Sequence, residues 1–291
     1  MNNIKNLLVN VVTHKPFDDS ILPKGYHVVK VGKADIDTTA YNWSTDCTGD
    51  NIAEENPYYC ELTAQYWAWK NLPESIKFTG IIHYRRYFFD YNKSMWGGNS
   101  YTEDILKEER IRKILQRYKI IIPFISVKES GNSRLYRNIP INKQDKHWII
   151  IYDIIKEFFP EEKESFETVI YGDYMVYGNM FISSRKIFND YSKWLFSVLK
   201  KYDEVIASKG EDRIPRVDGF LSELLLLVWV KSHISENDIY YMEVRNVETD
   251  KFLDYKKGDI RYIIRFIRMH RRILIAYKNL KNKVKLIKIR H

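Results

Sequence analysis

Cysteine is scarce in this chain: Cys47 and Cys60 are the only two. They form no CxxC pair and supply no disulfide framework. That usage suits a reducing compartment, where a thiol of ordinary pKa stays mostly protonated. Long hydrophobic runs are missing too. The longest, Leu224 to Val230, falls far short of the roughly 20 residues that span a bilayer. The opening residues, MNNIKNLLVNVVTHK, lack the basic start, long apolar middle and small-residue cleavage site of a secretion signal. These absences lead us to expect a cytoplasmic protein. Phosphate and metal signatures are equally absent. Without GxGxxG the dinucleotide-binding reading loses its main support, and without GxxxxGK[ST] the P-loop phosphotransferases are removed. Neither HExxH nor a serine-centred GxSxG occurs.

What is present is aromatic and basic. Aromatics make up 15% of the 291 residues, including 22 Tyr and 7 Trp. Such a chain either lines grooves for flat or ring-shaped ligands, sugars included, or reflects a general bias in composition. The net charge of +9 is unevenly placed. Between Lys256 and His291, 13 Lys and Arg face one acid, Asp259, a net of +12, which leaves 9 − 12 = −3 for the rest. A slightly acidic body argues against a broad phosphate-facing surface, so no nucleic-acid partner is expected.

The apolar pattern alternates strands with helices. Residues 5–12 (KNLLVNVV) and Tyr26 to Val31 read as strands, the second closed by Gly32. Pro57 suits the first turn of a helix to about Asn71 with Asn56 as its N-cap. Phe78 to Ile82 reads as a strand ending at His83, 102–118 as a charged amphipathic helix, and Lys119 to Pro123 as a strand. A loop over 124–142 leads to a helix over 143–159. Tyr174 to Ser183 reads as a strand running into a helix from about Ser184 to Tyr202. A further loop, 208–218, precedes an apolar helix from Gly219 to about Lys231. This alternation implies an α/β fold with a mainly parallel sheet flanked by helices. Its ligand crevice should lie outside the carboxyl ends of the strands, where His14, Gly32, His83 and Pro123 fall.

The segment Thr79-Gly80-Ile81-Ile82-His83-Tyr84-Arg85-Arg86-Tyr87-Phe88 carries the most chemistry. An apolar strand delivers two adjacent guanidiniums to that crevice, and they must either pair with acids or meet an anionic ligand. Arginine presents a planar fork of donors suited to phosphate. Fixed cations there would favour departure of a nucleoside diphosphate. His83 stays open between metal ligand, acid and hydrogen-bonding residue. Glu61 shares a helical face with Gln65 and either receives substrate hydroxyls or pairs with Arg85 or Arg86. The run Arg213-x-x-Arg216-x-Asp218-Gly219-x-x-x-Glu223 opens the apolar helix. An acid there must cap, pair or work. Glu223 fits a general base for an acceptor hydroxyl better than Asp218, which could be only an N-cap. Asp35-Ile36-Asp37 is either a divalent-ion site between nucleotide-sugar phosphates or a chance pairing of acids.

Several blocks, in order, resemble a bacterial family of capsule and exopolysaccharide gene clusters, long catalogued as a domain of unknown function and now treated as glycosyltransferases. They are Val12-Thr13-His14-Lys15, Thr48-Gly49-Asp50-Asn51-Ile52, Tyr59-Cys60-Glu61-Leu62-Thr63, Tyr66-Trp67-Ala68-Trp69-Lys70-Asn71, Gly80 to Phe88, Asn179-Met180-Phe181-Ile182, and Arg216-x-x-Gly219-Phe220-Leu221-x-Glu223. The resemblance covers about residues 5–235, and His-Tyr-Arg-Arg is its most specific piece. It implies a GT-A-like fold over residues 1–255, a UDP-sugar donor with UDP-galactofuranose as the first guess, and a lipid-linked oligosaccharide acceptor. On this reading Thr13, His14, Asp50, Asn51, His83, Tyr84, Arg85 and Arg86 meet the donor. Glu61, Asn179 and Arg216 meet the acceptor, while Glu223 and Asp218 are the catalytic candidates. His83 to Arg86 stand where a GT-A enzyme usually offers Asp-x-Asp, so Arg85 and Arg86 are expected to replace a metal. No cofactor is then required, although manganese or magnesium stays open. The other class of function in view is a non-catalytic, membrane-docked carbohydrate- or nucleotide-binding component of an assembly complex.

Residues 256–291 form a basic tail. Ile260, Ile263, Ile264, Ile267, Leu274, Tyr277, Leu280, Val284 and Ile287 recur at helical spacing among Lys and Arg. A basic amphipathic helix over 258–291 reads either as an anchor to an anionic membrane surface or as a helix packed on the body or on a partner. The first places the protein peripherally on the inner face of the plasma membrane.

Overall fold

A computed structural model of the chain describes residues 6–33, 36–90, 104–124, 126–127, 141–170, 174–176 and 178–249. Two compact units divide it. One comprises Met1–Asp90 with Ile105–Asn246, the other Tyr91–Asp104 with Val247–His291. The amphipathic tail and the expected boundary at residue 255 lie outside the described residues.

The first unit is built on a mixed sheet. Its strands are β1 (Leu7–Thr13), β2 (Tyr26–Lys30), β3 (Ser44–Thr45), β4 (Phe78–His83), β5 (Arg86–Phe88), β6 (Ile120–Pro123), β9 (Phe181–Ser184), β10 (Ile239–Met242) and β11 (Val244–Asn246). A separate two-stranded sheet pairs β7 (Ser126–Val127) with β8 (Tyr174–Met175). The main path runs β10-β6-β9-β4-β1-β2-β3. Along it β9 alone runs antiparallel to its neighbours, so the sheet is mainly parallel, as expected. β4 is central, and its middle is a very close packing point. A Cβ built on Gly80 would stand 2.3 Å from the Phe181 carbonyl oxygen, so only glycine fits there.

Helices α1 (Asn56–Tyr59), α2 (Leu62–Asn71), α3 (Glu108–Leu115), α4 (Ile141–Phe158), α5 (Lys163–Ile170), α6 (Arg185–Ser208) and α7 (Val217–His233) complete the layers. α7 is apolar all round, which is the signature of a helix buried on every side. Leu224 to Val230 are all buried. It packs with α5, α6 and α1, and its side chains join Ile81, Ile120, Ile122 and Phe181 of the sheet in one core.

Two sequence expectations need correction, and two strands arise where none is expected. The helix expected over 57–71 is broken at Cys60, whose φ is +51°. Asn56 does not cap it. Its amide instead bridges the break, donating to the Cys60 carbonyl at 2.8 Å and to Thr63 Oγ1 at 3.2 Å. The single strand expected over 174–183 is two short strands in different sheets. Residues 239–246, which lack a long alternating pattern, add β10 and β11 at the sheet edge.

Candidate active site

The crevice is assembled at the carboxyl end of β4. A two-residue turn, Tyr84-Arg85, joins β4 to β5 and leaves His83 directly opposite Arg86 in an antiparallel pair. Directly opposed residues share one face of a sheet, which stands the imidazole and the Arg86 guanidinium side by side. Arg85, inside the turn, sits over the Tyr84 ring at 5.6 Å. That ring is buried, and His14 meets it edge-on at 5.5 Å between centroids. Lys15 Nζ also lies 5.2 Å from it. Thr13 closes β1, and its Oγ1 bonds the Lys15 backbone. An aromatic ladder continues outward from Tyr84 through Phe17 and Trp43 to the exposed Tyr41.

Two carboxylates face this basic end. The break at Cys60 brings Glu61 to the head of α2, where its Oε1 accepts from Asn179 Nδ2 at 2.8 Å. Asn179 is fully buried, and the same amide nitrogen donates to the Gly219 carbonyl at 3.2 Å. It therefore ties Glu61 to the first turn of α7. Glu223, one turn further along α7, accepts from the backbone N–H of Gly178. Burial pushes the Glu223 carboxyl up to about 8. The charge of Glu61 adds to the rise, while Arg86, the Gly178 N–H and Arg216 oppose it. Burial pushes His83 down to about 4 against the pull of Glu61, and Arg86, Arg85 and His14 reinforce the drop. His83 is therefore neutral at ordinary pH. Its Nε2 is buried without a hydrogen-bond partner among the described residues, 3.6 Å from where a Cβ on Gly178 would stand.

Backbone strain concentrates here. Besides Cys60, Arg216 adopts φ +66° at the entry to α7, a conformation costly for a residue with a Cβ. It places its guanidinium by the Cys60 thiol, which burial pushes up to about 12 with Glu61 adding and Arg216 opposing.

The sequence-derived candidates thus separate into two sets. Glu223, Glu61, His83, Arg85, Arg86, His14, Tyr84, Asn179 and Arg216 converge around the end of β4. Asp218, Asp50 and Asn51 do not join them. Asp218 is not the N-cap of α7, a position held by Arg216. It is wholly buried, and its Oδ2 accepts from Arg213 Nη2 at 2.9 Å. Arg213 also pairs with Asp203 and Glu55, and burial raises the Asp218 carboxyl. Asp50 accepts from Tyr66 and takes a backbone bond to Asn71, while the Asn51 side-chain Oδ1 accepts from Ala53 N–H. Both build the turn before α1. Gln65, paired with Glu61 in the sequence reading, is buried against Ser192. Asp37 is exposed and folded onto Thr39 and Ala40, and Asp35 lies outside the described residues. Among the described residues no three His, Cys, Asp or Glu side chains are placed to hold a metal ion. Gly178 was missed in the sequence. Its φ of +73° aims its N–H at Glu223, and only its place before Asn179 hinted at a role.

The buried position of Asp218 gives a test of its role. Asp218→Ala should lower the unfolding free energy by about 3 kcal/mol, the low end for breaking a buried pair, because Arg213 keeps two other carboxylates. Denaturant titration reads that loss. Activity per folded molecule should be unchanged, and a hundredfold drop in it would make Asp218 a working residue.

Comparison with known proteins bears first on the fold. The apo structure of the bifunctional glycosyltransferase WbbM superposes with a TM-score of 0.66 at 23% identity. The match covers 84% of this chain and 46% of that one, so this chain spans about half the length of the structure it resembles. Among proteins with curated function no sequence match is found. The fold of this chain is thus one that a glycosyltransferase also uses. A family match over residues 8–235 takes in β1, the His83 to Arg86 turn and Glu223: the chain belongs to the family described as a domain of unknown function, DUF4422.

Proposed function

We propose that this protein is a glycosyltransferase that moves a sugar from a nucleotide-sugar donor to an acceptor hydroxyl. The observation that carries the reading is the convergence at the end of β4 of the buried Glu223 carboxyl, Arg86 opposite His83, and Glu61 tied to α7 through Asn179. The acceptor oxygen attacks the anomeric carbon and its proton passes to ionised Glu223. The bond from that carbon to the diphosphate breaks, and its electron pair leaves on the phosphate oxygen. Arg86 and Arg85 meet the charge that develops there. Neutral His83 is available to hydrogen-bond the donor or the sugar. The aromatic ladder ending at Tyr41 offers a stacking face for a base beside Lys15.

The likeness to WbbM supports this reading at the level of fold. UDP-galactofuranose as donor and a lipid-linked oligosaccharide of capsule, exopolysaccharide or O-antigen synthesis as acceptor are its finer form. Incubation with a panel of UDP-sugars is expected to release UDP from one of them, with UDP-galactofuranose tried first. Binding without any turnover across the panel would instead favour a carbohydrate- or nucleotide-binding component. Turnover should survive a chelator, since two arginines stand where a metal would neutralise the diphosphate. Complete loss, restored by manganese or magnesium, would overturn that point.

The tail belongs to the same proposal. No helix among the described residues is long and apolar enough to cross a membrane. Each Lys or Arg near an anionic surface contributes about 1 kcal/mol. Deleting residues 258–291 should release the protein from vesicles containing anionic lipid in co-sedimentation, and undiminished binding would rule the anchor out.

A further inference from the structure

A second cavity, of about 600 Å³, opens where α6, the end of α7, the link between α4 and α5, and the start of β6 meet. That volume is in the range of small-molecule sites. It is remote from the crevice in the fold. Along α7 its residues Trp229 and His233 follow Glu223 by six and ten positions, or about 9 and 15 Å of helix rise. Lys119 marks the opposite end of β6 from the carboxyl ends that form the crevice.

The walls combine aromatic surface with a fixed polar pair. Trp194 meets Phe159 edge-on at 6.2 Å, and Trp229 lies 4.7 Å from the His233 ring. His233 Nε2 is 2.7 Å from Glu162 Oε1, and Glu162 is only 4% exposed. Trp194 is 7% exposed, and among the described residues its indole N–H has no hydrogen-bond partner. An unpartnered buried donor costs about 1–3 kcal/mol, and a small turn of the ring toward a ligand hydroxyl or carbonyl would recover that loss. The charges at the rim are mostly satisfied within the protein. Lys186 pairs with Asp190 at 2.6 Å and Lys119 with Asp238 at 2.7 Å. Lys193, an exposed residue, also lines the rim.

We infer that this cavity is a second binding site, one that takes a neutral oligosaccharide. Rings with one apolar face suit tryptophan and phenylalanine walls. Hydroxyl groups both donate and accept, which matches an orphan N–H, a carboxylate and an imidazole in one place. Neutralised lysines leave little to attract a phosphate or a carboxylate, so an anionic ligand fits poorly. The inference stands apart from the assignment of chemistry to the crevice, because a glycan held 15 Å or so along α7 needs no turnover to be detected.

The test uses the full chain on an array of neutral and anionic bacterial oligosaccharides, followed by calorimetry on the strongest neutral glycan. Glu162→Gln and Phe159→Ala should each weaken that glycan about tenfold or more, while Glu223→Gln binds it as the unmodified protein does. Phe159 is only half-buried, so Phe159→Ala remains informative if Glu162→Gln fails to fold. With tryptophan replaced by 5-fluorotryptophan, the Trp194 resonance should shift on titration. No retained neutral glycan, equal loss in Glu223→Gln, or a preference for anionic glycans would each overturn the site. UDP release from the donor panel is read separately, so failure here leaves the crevice assignment standing, and the reverse holds.

Discussion

Arg86→Ala is expected to lower kcat/KM for UDP release from the accepted donor by about 10²–10³-fold, the usual cost of removing one preorganised partner of developing charge. The protein should stay folded. Among the described residues the Arg86 side chain has no structural ion pair to lose, and its backbone remains in the β5 to β11 ladder. What it does have is a position opposite His83 and a field felt by both His83 and Glu223. Arg86→Lys should recover part of the loss in KM and little in kcat, because an ammonium supplies the charge without the planar fork. Arg85→Ala should cost less, about tenfold, because Arg85 stacks on Tyr84 within the turn. Steady-state kinetics with thermal melts of all three variants decide the matter. A fall in activity that tracks a fall in Tm would mean that Arg86 serves the fold.

The parts legible in the sequence were those with short-range causes. The ends of β1 and β4 announce themselves as apolar runs that stop at polar residues, that of β6 as a run closed by Pro123, and α7 as a block of Leu, Val and Trp. His83 and Arg86 fall at a strand end by simple counting, and the two-residue turn between them does the rest. Non-local causes hid the remainder. Nothing near Cys60 in sequence says that its φ is +51°. That value follows from the packing of Gly219 against its side chain and from Asn56 bridging the break. The sequence ranks Glu223 above Asp218 as a candidate base, but it does not show what surrounds either. Both are acids early in a buried helix, and only the fold puts Arg213 next to one and Gly178 next to the other. Short edge strands such as β10 and β11 form because β6 and β5 lie ready to pair with them, and their own residues carry little pattern.

Glu223→Gln should remove transfer by about 10²–10⁴-fold, the range for a general base, while donor binding changes little. On the proposed mechanism the unmodified protein should show kcat/KM rising through its midpoint near pH 8 and levelling about a unit above, because only ionised Glu223 would take a proton and its pKa is pushed up to about 8. The residual activity of Glu223→Gln should lose that limb. Stability should move the other way. The folded carboxyl binds its proton more tightly than the unfolded one, whose ordinary value is 4.5. Between those two values the native state holds more protons, so stability is full at low pH and falls as pH rises through the window. A pKa unit corresponds to about 1.4 kcal/mol. Glu223→Gln, which keeps the shape and removes the charge, should therefore melt higher than the unmodified protein at pH 9, and the gap should close near pH 5. A base that costs the fold its stability only when it is competent to act is the expected trade between catalysis and stability. An equal melting difference at both pH values would place the titration elsewhere. A surviving pH limb in Glu223→Gln would pass the role of base to Glu61, which shares the crevice and differs in having the Asn179 amide on its oxygen.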